Sequence, residues 1–299
     1  ALAERFGRVD LPARLDALMG KGGVQGSTWP DAAELLMLHP GRTAAGEDEG
    51  RAIERYLKHY AGIDWGVVSD RWPDPGLYLS VRGGTTEVAH GQVDLLDFHC
   101  VAGGEKLLTH VDNTEYHDAT FSSRRYELHE MVPASKNTLL INGVGPAKPS
   151  TVTIEPLERD DLQGFRFDAT GAMGGMRDGA TARFAGRLIL LLNAQAALVI
   201  DRAALYQFGR LESRLHSPAE VTFGEARADL WGEATMLHLR FASDCRATLH
   251  RAMDAPTKPG PILHMLRWCT DKLVHAGTMV TLISRVPEAA VTIEGDEAE

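Results

Sequence analysis

LYLSVRGGTTEVAHGQVDLLDFHCVAGGEKLLTHV, residues 77–111, decides the class of fold. Leu77, Leu79 and Val81 alternate with Tyr78, Ser80 and Arg82, the period of two that belongs to a strand with one buried face. Gly83-Gly84 and Gly103-Gly104 interrupt the apolar runs where the chain must turn, so Leu77–Arg82, Asp94–Ala102 and Lys106–Val111 read as strands. The texture continues beyond this stretch, with strands expected at Gly66–Asp70, Thr138–Asn142, Thr151–Pro156, Gly164–Ala169, Thr181–Leu192, Ala197–Asp201, Arg210–His216, Glu220–Ala226, Thr235–Ala242, Ala247–Arg251 and Val280–Ser284. So many short strands with few helices between them predict a mainly β fold, two packed antiparallel sheets in a sandwich.

Residues 1–62 read differently. Leu11, Leu15 and Leu18, then Leu35, Leu36 and Leu38, then Ile53, Tyr56, Leu57 and Tyr60 recur at helical spacing. These three short helices are too small to bury a core of their own and must lean on something else. Lys258–Gly277 reads as a return to helix, and Gly171–Gly179 as a glycine-rich turn that follows no βα pattern of a phosphate cradle. The expected organisation is a helical segment at 1–62, a β-sandwich at 63–287 and an acidic tail at 288–299.

The chain has 299 residues, 44% hydrophobic and 24% charged, the balance of a globular protein. No run approaches the ~18 apolar residues of a membrane helix. A net charge of −10 argues against a nucleic-acid groove, though not against an acidic polysaccharide, because screening confines a local basic cleft to ~8–10 Å. Cys100, Cys245 and Cys269 are too few and too scattered for a disulfide framework or a zinc knuckle, and Cys100, in an alternating apolar segment, reads as a small core residue. The start, Ala1-Leu2-Ala3-Glu4-Arg5, has neither an initiator Met nor the apolar core of a signal peptide, so a cleaved product or a fragment is expected.

Five of the twelve histidines, His90, His99, His110, His117 and His129, fall between Leu77 and Gly145. Imidazoles gathered at turns and strand ends suit a polar site, since a core does not tolerate them unpaired. They equally suit loops that they cap by hydrogen bonding, and the residues alone leave both readings open.

The order Gly83-Gly84, His90-x-x-x-Asp94, Phe98, Gly104-x-x-Leu107, Arg124-x-Tyr126, Asn137-Thr138 and Ile141-Asn142-Gly143 resembles the heparinase II/III-like domain of polysaccharide lyases. The stretch from Arg187 through Asp201 to His216 is similar to the middle of that domain, and the likeness spans roughly residues 65–220. It implies an N-terminal (α/α) toroid joined to C-terminal antiparallel sheets, with residues before 62 as the toroid's end. It also implies β-elimination on a uronate-containing glycan, a periplasmic or extracellular setting, and an acidic polysaccharide as partner. The missing toroid or a second copy of the chain is the other expected partner; nucleic acid and membrane are not. Such a lyase must neutralise the C6 carboxylate, remove the C5 proton and protonate the leaving oxygen.

By the resemblance His90 is the catalytic histidine that the sheet domain contributes. Arg124 and Tyr126 match the Arg-x-Tyr segment and His110 a strand end; these three are substrate-binding candidates, with packing inside the sheet an equal reading for Arg124 and Tyr126. The principal tyrosine belongs to the toroid, so this chain alone is expected to be inactive. Relatives hold zinc at places filled here by Gln92, His110 and Lys136. Gln is a poor zinc ligand and Lys⁺ repels the ion, so no metal is expected there. A shifted set drawn from His110, Asp112, His117 and His129 follows no standard spacing. A non-catalytic carbohydrate-binding or structural module is the alternative to the enzyme.

Overall fold

The computed structural model describes residues 53–72, 74–88, 90–173 and 182–294. The chain divides into two compact units, Ala1–Ile53 and Glu54–Glu299, and the architecture below is that of the second. Among the described residues no helix is long and apolar enough to cross a membrane.

The structure is a stack of antiparallel sheets. The first has five strands, β1 (Ile53–Tyr60), β2 (Trp65–Trp72), β3 (Leu77–Arg82), β5 (Phe98–Ala102) and β6 (Glu105–Leu108), in that order across the sheet. The second has nine: β4 (Gly84–Thr85), β8 (Thr151–Glu158), β9 (Gln163–Asp168), β10 (Ala182–Asn193), β11 (Ala196–Gly209), β13 (Glu220–Phe223), β14 (Arg227–Trp231), β15 (Met236–Ser243) and β18 (Val274–Ser284). Their spatial order is β13-β14-β15-β18-β11-β10-β9-β8-β4. A third sheet, absent from the two-sheet expectation, runs β16 (Ala247–Asp254), β17 (Leu263–Thr270), β12 (Leu211–Ser217), β7 (Leu139–Ile141). The chain is therefore mainly β and sandwich-like, but the segment Arg210–His216 leads into a separate sheet instead of extending the large one.

Two helical expectations are corrected. Ile53–Tyr60 is a strand, because it forms the edge of the five-stranded sheet beside β2, folding back at Gly62. Tyr56 stacks on Trp72 with ring centroids 5.4 Å apart, and Leu57 packs against the core. The i, i+3, i+4, i+7 spacing would put these residues on one face of a helix, whereas in the strand the adjacent Tyr56 and Leu57 leave from opposite faces, and the hydrogen bonds that β2 offers decide. Lys258–Gly277 is likewise not a helix: Leu263–Thr270 pairs with β16 on one side and β12 on the other, with Leu263, Leu266 and Trp268 buried. A central strand needs ladder partners on both edges, and tertiary pairing supplies them. The helices expected over residues 1–52 lie outside the described residues, as does most of the glycine-rich stretch and the end of the acidic tail.

One core runs between the sheets. Gly66 of β2 faces Phe165 of β9 so closely that a Cβ would stand 2.5 Å from the ring. The absence of a side chain at residue 66 is what lets the fully buried Phe165 ring close the gap between sheets. The polar pivot of the fold is Arg187, 1% exposed. Its Nε donates to Asp201 Oδ1 at 2.6 Å and its Nη2 to Oδ2 at 2.8 Å, across the β10–β11 register pair. Its Nη1 donates to the carbonyls of Leu96 and Asn137, both at 2.6 Å, and Ser213 Oγ of the third sheet donates to the same aspartate. The guanidinium thus joins the long hairpin to the segments that carry the candidate site.

Candidate functional site

The β5–β6 hairpin and the loop before it build a polar cluster. Along β5, Phe98 and Cys100 point into the core, so His99 between them faces outward over the sheet. Asp97, buried at the strand's start, accepts the Asn137 N–H on Oδ1 at 2.8 Å, while its Oδ2 takes His110 Nδ1 from the chain just past β6. His99 Nδ1 lies 2.9 Å from Thr109 Oγ1, and the His99 and His110 rings sit 4.7 Å apart. The cluster opens onto a cavity of about 390 Å³ that is also lined by Tyr60, Trp65, Tyr78, Arg82 and Asp94.

The electrostatics follow from burial. Desolvation alone would raise the Asp97 pKa, but the charge and hydrogen bond of His110 outweigh it and hold the carboxyl well below the usual carboxylate range. Desolvation pushes His99 down to about 4, leaving it a neutral imidazole at neutral pH. Asp94 goes the other way: burial raises it, and Arg82 Nε at 3.3 Å from Oδ2 offsets only part of that. Its Oδ1 is buried without a hydrogen-bond partner. Asp94 and His99 both line the cavity, so a ligand bound there would meet both groups. The donor atoms of Asp97, His99 and His110 lie within 4.8 Å of one another. Both oxygens of Asp97 already serve His110 and the Asn137 amide, so the group is satisfied as an imidazole–carboxylate pair.

His90 stands elsewhere, on the loop between β4 and β5. It is exposed and holds a left-handed φ of 59°. Its ring meets Phe121 edge to face at 5.3 Å, and Phe121 in turn meets Tyr116 at 4.9 Å; Tyr116 and Phe121 are 74% and 61% exposed. The backbone of this loop is held by Arg125, which donates to the His90 carbonyl at 2.8 Å and the Gly91 carbonyl at 3.0 Å and ties them to the Thr120 carbonyl at 2.7 Å.

The four residues singled out in the sequence are thus not gathered in one pocket. His110 lines the cavity, and His90 does not. Arg124 lies on the surface and donates from Nε and Nη2 to Glu127 Oε2 at 2.9 and 2.8 Å. Tyr126 packs on Ala119, Leu128 and Met131 while Lys148 lies 3.6 Å over its ring and donates to its hydroxyl. Asp94, Asp97, His99 and Arg125 were not among the candidates. Asp97 and His99 were legible as an i, i+2 pair beside an apolar strand, but the partner that completes them, His110, comes from the next strand. Arg125 carried no signal beyond its neighbours.

The zinc that the resemblance implies does not fit this donor set. Gln92 and Lys136 are in direct contact, the Lys136 Nζ donating to Gln92 Oε1, and His110 is turned to Asp97. An ammonium fills the space between two of the expected ligand places, and a divalent cation cannot share it.

No protein-family profile matches the sequence, and no curated protein matches it. Solved structures do. A mutant of the heparan sulfate lyase HepC from Pedobacter heparinus superposes with a TM-score of 0.65 at 13% identity, covering 79% of this chain and 37% of that one. Heparinase III gives 0.62 at 12% identity over 78% of this chain and 37% of its own, and a second HepC structure 0.64 at 12% over 92% and 41%. The chain therefore spans well under half the length of these lyases. Over that span it has the antiparallel β fold found in the heparinase III and HepC lyases.

Proposed function

We propose that this chain is the sheet portion of a polysaccharide lyase that cleaves an acidic, uronate-containing glycan by β-elimination. The observation that carries the reading is His90: an exposed imidazole, engaged by no hydrogen bond among the described residues, on a loop that Arg125 holds by two backbone carbonyls and ties to the Thr120 carbonyl. Such a ring is held in place yet is free to meet a carboxylate or a sugar hydroxyl. The fold shared with heparan sulfate and heparin lyases gives that ring a chemical context, and the principal base is expected from a helical toroid outside the described residues. Arg124, Tyr126 and His110 remain substrate-contact candidates: His110 through the cavity, Tyr126 beside Lys148, and Arg124 on the surface. A periplasmic or extracellular setting belongs to this proposal, as the resemblance implies.

A second reading, a glycan-binding module without catalysis, is favoured by the exposed Tyr116–Phe121 pair next to His90. Aromatic faces stack on the apolar faces of sugar rings and need no proton chemistry. Isothermal titration of the chain and of His90→Ala with oligosaccharides of heparan sulfate, alginate and glucuronan separates the readings. The lyase reading expects uronate-selective binding that weakens several-fold in the variant. Equal affinity for a neutral glycan, untouched by the substitution, would sink it and leave the binding module.

A further inference from the structure

Three separate segments converge on the Lys136 side chain, which is 0% exposed. Nζ donates to Gln92 Oε1 in the His90 loop, to the Glu130 carbonyl at 2.8 Å in the short 3-10 turn His129–Met131, and to the Val111 carbonyl at 3.5 Å just past β6. All three acceptors are neutral oxygens. Among the described residues no carboxylate forms an ion pair with Nζ; desolvation lowers its pKa, and the charges of Asp97, Asp94, Asp112 and Glu130 oppose that shift. Three oxygens match the three N–H groups of an ammonium; a neutral amine has only two. The same requirement fixes the orientation of the Gln92 amide, whose oxygen and not its nitrogen must face Nζ.

We infer that the Lys136 ammonium is a built-in cation that does in this chain the job a metal ion does at the same junction, clamping the Gln92 loop, the segment after β6 at Val111 and the 129–131 turn together. An oxygen-only shell around a buried positive centre is how proteins hold hard cations. Here the charge arrives on a side chain, so it cannot dissociate or be chelated. The Gln92 and Lys136 positions, where a zinc-binding relative is expected to carry ligands, contact each other directly. One has supplied the ion and the other an oxygen for it. The clamp also serves the cluster next door, because Lys136 precedes Asn137, whose N–H and side chain hold Asp97 and the Phe98 carbonyl.

Melting curves and elemental analysis of the whole chain test this. The unmodified chain is expected to melt at the same temperature with EDTA, with excess Zn²⁺ and with neither, and to hold well under one zinc per chain. Lys136→Met should lower the melting temperature by many degrees, with no recovery on adding Zn²⁺. If that variant does not fold, Lys136→Gln, which keeps two N–H donors and loses the charge, is read by denaturant titration in its place. The pair Gln92→His with Lys136→His should take up one zinc per chain and become sensitive to EDTA. A chelator-dependent melt of the unmodified chain overturns the inference. So does a neutral variant as stable as the parent, or a folded double-histidine variant that takes up no zinc.

Discussion

His99 carries a pH dependence whose sign follows from its burial. Its pKa in the fold is about 4, against an unfolded value near 6.5, because desolvation disfavours the imidazolium more than the Asp97 charge favours it, and His110 adds a smaller push in the same direction as desolvation. The unfolded chain therefore binds more protons between these values. The stability that neutral His99 contributes is complete above about pH 6.5 and is lost as the pH falls toward 4, up to about 3 kcal/mol. His216, also lowered first by burial, contributes in the same direction. Denaturant titrations of the parent and of His99→Gln from pH 7.5 to 4.5 should show a shallower slope in the variant; identical slopes would mean His99 does not titrate there. His90 offers the contrast. Its ring is exposed and outside the core, so His90→Ala should change stability by less than about 1 kcal/mol, measured by thermal melts. A larger loss would make it a structural residue and weaken its place in the proposed site. Cys100 is buried, as its alternating segment led one to expect, and desolvation pushes its thiol up to about 12, so it is inert toward alkylating reagents in the folded state.

Between elements, the two contacts that set sheet against sheet are open to direct test. Arg187 joins β10, β11, the Leu96 turn, Asn137 and, through Asp201, β12. Arg187→Ala strands the Asp201 carboxylate and two carbonyls in the core and should cost about 3–5 kcal/mol. Arg187→Ala with Asp201→Ala should cost less than the sum of the singles, and a double-mutant cycle showing additivity would remove the coupling argued here. Gly66→Ala pushes a methyl into the fully buried Phe165 ring and should cost about 1–3 kcal/mol by overpacking. Phe165→Leu in the same background should recover part of that loss, which chemical denaturation would register; no recovery would place the strain elsewhere.

For the molecule as a whole, the proposed lyase needs a base that the sheets are not expected to supply. Incubated alone with heparan sulfate, alginate or glucuronan, the chain should produce none of the unsaturated sugar whose ultraviolet absorbance marks β-elimination. Steady turnover that survives His90→Ala would instead locate the chemistry in the Asp94–His99–His110 cavity. The cavity and the His90 surface are separate features of one sheet stack, linked by the segment from Gln92 to Asp97, so the Gln92–Lys136 contact is the structural joint between them.

Much of the β fold was legible because burial on one face of a strand leaves a period of two in the sequence, and Leu77–Arg82 is a strand with those same bounds. Turn glycines at Gly103 and Gly104, both at positive φ, announced the β5–β6 hairpin for the same local reason. Local pattern does not say which ladder a strand joins, so the third sheet, the edge strand at Ile53–Tyr60 and the central strand at Leu263–Thr270 were decided by partners far away in the chain. The site divides in the same way. The histidine-rich run and the unsuitability of Gln92 and Lys136 as zinc ligands could be read residue by residue, because they are matters of donor chemistry. That His110 turns to Asp97, that Arg125 holds the His90 loop, and that the Lys136 ammonium faces three oxygens from three segments came only with the tertiary structure, since hydrogen bonds between distant residues leave no periodic trace in the sequence.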